Sequence, residues 1–214
     1  MFRPALVIVL VIVIASACTS SPPDPLQGLQ LEPVFSDDFG RAELGPNWKS
    51  QGGDWRIEAG AAHSTRADNR NLVLTSVTLP DDAAIELTLW SESDAVDIKF
   101  NAWGDGLMHD HGDGYSFILG GWHNRFSVIS KLHEHDKARV EDRSGGWESF
   151  HRYAVKVVRQ GARITWYLDG KKFLERVDPE PLRAASGHNR LSLANWRSAV
   201  FFDDLKIHRI SGGK

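Results

Sequence analysis

The sequence predicts an all-β domain built as two antiparallel sheets packed into a sandwich. Three observations lead there. From residue 34 onward, short runs rich in valine, isoleucine, threonine and aromatic residues are separated by clusters of Gly, Asp and Asn, the pattern of strands and turns. After that point no stretch carries the 3.6-residue apolar period of an amphipathic helix, and no repeat or low-complexity run interrupts the pattern. Several runs also alternate strictly. Ile85, Leu87 and Leu89 face one way, and Asp97, Lys99 and Asn101 share a face with Trp103. Strands that bury one side only exclude an all-parallel core and favour two antiparallel sheets face to face.

The chain opens Met1-Phe2-Arg3-Pro4 and runs uncharged from Ala5 to Ala15 before small residues lead to Cys18. This is the layout of a secretory signal: a positive start, an apolar stretch and a cleavage site. The apolar stretch is shorter than the roughly 20 residues a membrane-spanning helix needs. Ala15-Ser16-Ala17-Cys18 resembles the bacterial lipobox, with alanine where that motif prefers leucine. The resemblance implies a signal peptide over residues 1–17, cleavage before Cys18, and acylation of its thiol by palmitate or a similar chain. Thr19 follows the cysteine in place of aspartate, which by analogy with enterobacterial sorting implies the outer membrane, facing periplasm or exterior. Cys18 is the single cysteine, so no intrachain disulfide stabilises the domain. Residues 18–33 include Ser20-Ser21-Pro22-Pro23-Asp24-Pro25 and read as a tether. The formal net charge is −3 and no basic block occurs, which argues against nucleic acid as a partner.

The domain is expected over 34–210, followed by a short tail at 211–214. Its strands are expected at 72–79, 84–90, 96–103, 115–119, 126–132, 153–159, 164–168, 172–177, 191–194 and 200–210, with weaker ones near Phe35 and Trp55. Asp169-Gly170 between two β-rich runs suits a type I′ hairpin turn.

Phe35-Ser36-Asp37-Asp38-Phe39, Leu44-Gly45-Pro46-Asn47-Trp48 and Gly53-Asp54-Trp55-Arg56-Ile57-Glu58-Ala59-Gly60 stand near the start of the domain, and Val200-Phe201-Phe202-Asp203-Asp204-Leu205-Lys206-Ile207 near its end. This order resembles the concanavalin A-like lectin/glucanase superfamily, particularly its laminin-G-like and 3-keto-disaccharide hydrolase branches. The resemblance implies a jelly-roll sandwich with a concave sheet that often binds sugar. It also implies a structural Ca²⁺ joining the two ends of the domain, with Asp37, Asp38, Asp203 and Asp204 as the available hard oxygen ligands. Aspartate before a strand is equally an ordinary turn residue.

An oligo- or polysaccharide needs an aromatic platform for its CH faces beside groups that hydrogen-bond its hydroxyls. Lys99, Asn101 and Trp103, then Trp122, His123, Asn124 and Arg125, and finally Asn195 and Trp196 supply both at strand ends. The alternative is that tryptophans among the eight fill the core. A second cluster is Lys131, His133, Glu134 and His135, with both histidines on one side of an extended chain and Glu134 on the other. It offers catalytic acid/base groups or two metal ligands, and equally describes a solvated strand end. The loop 104–114, rich in Asp, Gly and His, has carboxylates for a cation, although turn chemistry alone accounts for it.

Laminarinase-type glycosidases of the resembled superfamily carry paired glutamates flanking an aspartate on one strand, and no such motif occurs here. A retaining mechanism needs two carboxyl groups about 5 to 5.5 Å apart. Saccharide binding is therefore favoured over hydrolysis of ordinary glycans. A glycan-processing enzyme resembling 3-keto-disaccharide hydrolases, acting through a general base and cationic side chains, is the first alternative. A structural or docking surface lipoprotein is the second.

Overall fold

The computed structural model describes residues 24–211, so the segment 1–17 and Cys18 lie outside the described residues. Fifteen strands follow in order: β1 (Gln30–Asp37), β2 (Trp48–Ser50), β3 (Arg56–Glu58), β4 (Ala61–Ser64), β5 (Leu72–Leu74), β6 (Ala83–Ser91), β7 (Ile98–Gly104), β8 (Tyr115–Gly120), β9 (Phe126–Lys131), β10 (Val140–Asp142), β11 (Tyr153–Gln160), β12 (Arg163–Leu168), β13 (Lys171–Val177), β14 (Arg190–Asn195) and β15 (Val200–Ser211). One sheet has the order β13-β12-β11-β6-β15-β4-β3, with β1 also paired to β15. The other runs β10-β9-β8-β7-β14-β5-β2. Every pairing is antiparallel.

The alternation seen in the sequence closes the core. Ile85, Leu87, Leu89, Val155 and Val157 of the first sheet face Ile98, Phe100, Phe117, Leu119 and Ile129 of the second within one buried cluster. Phe100 and Phe117 stack at 4.7 Å, and Trp166 meets both edge-on at 6.3 and 5.7 Å. Asp169 and Gly170, with φ of 48° and 75°, turn the β12–β13 hairpin as a type I′ turn requires.

Two features depart from the pattern in the sequence. The first strand begins at Gln30, inside the segment read as tether, because residues 30–33 pair with His208–Ser211 of β15 and Leu26 is buried against Ala84, Val158 and Ile210. Trp103 does not share the face of Lys99 and Asn101. The β7–β14 register slips between Arg190 and Leu191, Trp103 takes φ = 54°, and its ring turns into the core. There its indole donates to the Pro80 carbonyl at 2.8 Å. A bulge of this kind reverses the side-chain alternation for the residues beyond it.

Candidate functional site

The outer face of the second sheet carries two polar rows. In the first, Ser192, Asn101, Ser116 and Ser130 stand in register across β14, β7, β8 and β9. The Asn101 amide donates to Ser192 Oγ at 3.1 Å and accepts from Ser116 Oγ at 2.6 Å. All four are buried, so Asn101 is a structural link in the floor rather than a cavity-lining group. In the second row Lys99 lies between Ala194 and Ile118. It is 2% exposed; its ammonium donates to Asn69 Oδ1 at 2.9 Å and forms an ion pair with Glu134 Oε2.

The loops above that second row enclose a cavity of about 510 Å³. Its floor holds Asp97, Lys99 and Ile118. Trp122 and His123 line one part of it, Trp196, Arg197 and Ser198 another, and His111, Glu134 and Asn69 complete it. The Trp122 segment is shaped by backbone that few residues adopt: Gly120, Trp122, His123 and Asn124 have φ between 53° and 64° in a single turn after β8. A Cβ on Gly120 would lie 2.9 Å from Val96, so only glycine fits where this turn begins. Left-handed conformations at bulky residues cost free energy and concentrate at binding and catalytic sites. Trp122 packs on His135 and Phe126, and the Arg139 guanidinium sits 4.7 Å from its ring centroid. Trp196 is 43% exposed, with the Arg197 guanidinium over its ring.

Two carboxyl groups of opposite character flank Lys99. Burial raises the Asp97 pKa to about 6, since Lys99 and His123 only partly compensate and Glu134 adds like-charge repulsion. Burial also acts to raise Glu134, but the charge and hydrogen bond of Lys99, aided by His111 and His135, more than offset it and leave Glu134 below the ordinary range. His135 is held below its usual value, first by burial and then by the cationic side chains around it, against the pull of Glu134.

Of the residues singled out in the sequence, Lys99, Trp122, His123, Glu134 and Trp196 meet at this cavity. The others are held elsewhere. Asn124 clasps Trp147 through its amide at 2.7 and 3.0 Å, Arg125 lies exposed beside Phe126, and Asn195 accepts from the Ala67 amide while donating to Ser64 and Ser198. Lys131 pairs with Asp178 at 2.9 Å and donates to the Glu180 carbonyl. The alternation expected at His133–His135 is broken because Leu132 takes φ = 62° and the chain turns. His133 Nδ1 accepts from the His135 amide, while His135 joins Glu134 and His111.

Of the four aspartates that the resemblance implies for calcium, Asp37 is committed elsewhere, whereas Asp203 is raised by burial together with like-charge repulsion from Asp204 and Asp38. Asp37 has both oxygens engaged by Arg41, at 2.5 and 2.8 Å, and by the Trp48 indole at 2.7 Å. Asp38 accepts from the Gly40 amide and Asp203 from the Asp204 amide. Among the described residues, the groups of three or more potential ligands within 4.8 Å of one another are His111/Glu134/His135 and Asp105/His109/Asp113. In the second group Asp113 also accepts from the Asp105 and Gly106 amides and so organises the loop above the floor.

Arg197 reaches the cavity beside Trp196, as the Asn195-Trp196-Arg197 segment suggests, whereas Asn69, Asp97 and His111 lie outside the saccharide contacts that the sequence suggests. Asp97 has a signal, its shared face with Lys99; Asn69 and His111 arrive on loops whose closure no periodicity records.

The fold has clear counterparts among solved structures. A carbohydrate-binding module, CBM66 from Bacillus subtilis, superposes with a TM-score of 0.60 at 15% identity, over 77% of this chain and 96% of the module. The fold is that of the concanavalin A-like jelly-roll sandwiches. An endo-beta-1,3-glucanase from Pyrococcus furiosus superposes with a TM-score of 0.58 at 12% identity, over 87% of this chain and 97% of its own. In sequence, an extracellular exo-alpha-L-arabinofuranosidase from Streptomyces chartreusis is 28% identical over 156 residues. That match takes in 69% of this chain and spans 18% of the length of that relative. No family model matches.

Proposed function

We propose that this sandwich binds a saccharide in the cavity on the outer, concave face of its second sheet, and that the chain is an exported lipoprotein held to the outer membrane through Cys18. The observation that carries the binding reading is the cavity itself. Two tryptophans line it beside an amide, an ammonium and two carboxyl groups, the mixture that a ring with apolar faces and a rim of hydroxyls requires. Lys99 is already neutralised by Glu134, which favours a neutral sugar over an anionic one. Similarity to a carbohydrate-binding module and to two glycan-acting enzymes supports the reading.

Calorimetry with a panel of oligosaccharides tests it. Trp122→Ala and Trp196→Ala are each expected to weaken binding about tenfold, which corresponds to losing roughly 50 Å² of apolar contact. Trp103→Phe, a core change, should leave affinity unaltered. If neither cavity tryptophan matters, the site is misplaced.

A second reading, glycosidic-bond processing, is favoured by one observation: Asp97 is pushed up and Glu134 down within the same cavity, and carboxyls so separated commonly divide acid and base roles. Release of reducing ends by the wild type, abolished in Asp97→Asn with binding retained, would select it.

A further inference from the structure

We propose that His111, Glu134 and His135 form a binding site for a divalent transition-metal ion, with zinc as its representative, at the rim of the cavity. His111 Nδ1 and His135 Nε2 lie 3.5 and 3.6 Å from Glu134 Oε1. All three potential ligand atoms are within 4.8 Å of one another. Around a tetrahedral ion bound at about 2.0–2.1 Å, ligand atoms stand about 3.3 Å apart, so both contacts to Glu134 are near the required spacing. The imidazole pair has only to close on itself. Both rings are half exposed, at 52% and 50%, and free to make that adjustment.

Two further features prepare the site without an ion. The Glu134 amide donates to the His111 carbonyl at 2.6 Å, which joins the two loops that carry the ligands. Glu134 Oε2 is held by buried Lys99, so the other oxygen is the one presented to the histidines, an arrangement by which outer groups orient metal ligands. Two imidazoles and one carboxylate suit zinc, cobalt, nickel or copper, whereas calcium and magnesium take oxygen ligands alone. Three protein ligands leave one coordination position for water or a hydroxyl from the cavity. His133, whose ring centroid is 4.8 Å from that of His111, packs beside the site, and its Nδ1 is engaged by the His135 amide.

The test uses the full chain stripped by a chelator, Co²⁺ as a spectroscopic probe and Zn²⁺ as competitor. One Co²⁺ per chain is expected, with the intense visible absorption of tetrahedral coordination and displacement by Zn²⁺. His111→Ala, His135→Ala and Glu134→Gln should each weaken binding by roughly tenfold or more, and His133→Ala should leave it intact. Melting curves recorded alongside show whether Glu134→Gln, which removes the partner of Lys99, remains folded; if it does not, the two exposed histidine variants carry the test. No binding, a six-coordinate spectrum, or Glu134→Gln binding as tightly as wild type would overturn the site, the last outcome leaving only a surface histidine pair.

Discussion

Replacing Asp97 by asparagine should stabilise the fold at neutral pH. The Asp97 carboxyl is raised from an ordinary 3.8 to about 6, with burial the main cause. Between those values the folded chain holds a proton that the unfolded chain has released, so stability falls as pH rises from about 4 to about 6 and stays level above. At about 1.36 kcal/mol per pH unit, the interval corresponds to about 3 kcal/mol of destabilisation at neutral pH. Asparagine has nearly the same shape, carries no charge, and tolerates the left-handed backbone that Asp97 adopts at φ = 44°. Urea denaturation of wild type and Asp97→Asn at pH 4 and pH 7.5 measures the effect. The two should be nearly equal at pH 4 and separate by up to about 3 kcal/mol at pH 7.5, less the cost of burying an amide. A variant less stable than wild type at pH 7.5, or a difference independent of pH, would show that Asp97 does not carry an uncompensated buried charge.

Other outcomes follow from the same structure. Lys99→Met leaves the Glu134 carboxylate without its buried partner and should cost about 3–5 kcal/mol in denaturant unfolding, partly restored by adding Glu134→Gln. Trp103→Ala opens the core where the indole meets Tyr115 and should cost about 3–5 kcal/mol. A loss below 1 kcal/mol would contradict the inward placement. Calcium added to chelated protein should raise the melting temperature, because an ion would relieve the like-charge repulsion among Asp38, Asp203 and Asp204 while Asp37 stays with Arg41; no rise would reject a calcium site there. Cys18→Ser should abolish incorporation of labelled fatty acid into the chain, and continued labelling would refute the anchor.

The strands were legible because half-buried sheets print a two-residue period, as in Ile85-Leu87-Leu89 and in Asp97-Lys99-Asn101. What the period cannot carry is its own interruption. The period alone places Trp103 on the outer face, whereas the slip that turns it inward depends on Arg190 and Leu191, nearly ninety positions away. An extended chain would put His133 and His135 on one face, and nothing in Lys131-Leu132 announces the left-handed residue that breaks it. Lys131 is committed to Asp178, a partner 47 positions away that no local pattern announces. Loops bring Asn69 and His111 to the cavity through pairings such as the Asn69 amide to the Asp110 carbonyl, which are properties of the closed fold.

The position of β15 orders events in time. It is the last strand described, yet it lies between β6 and β4, and its later half also pairs with β1. Until residues 200–211 emerge, the first sheet lacks a central member and β1 has no neighbour to join. The Gln30–Ser211 pairing ties nearly opposite ends of the described chain, and such distant pairing makes folding slow. The first sheet therefore cannot close around β6 and β4 until residues 200–211 are available, so its assembly depends on the part of the described chain made last.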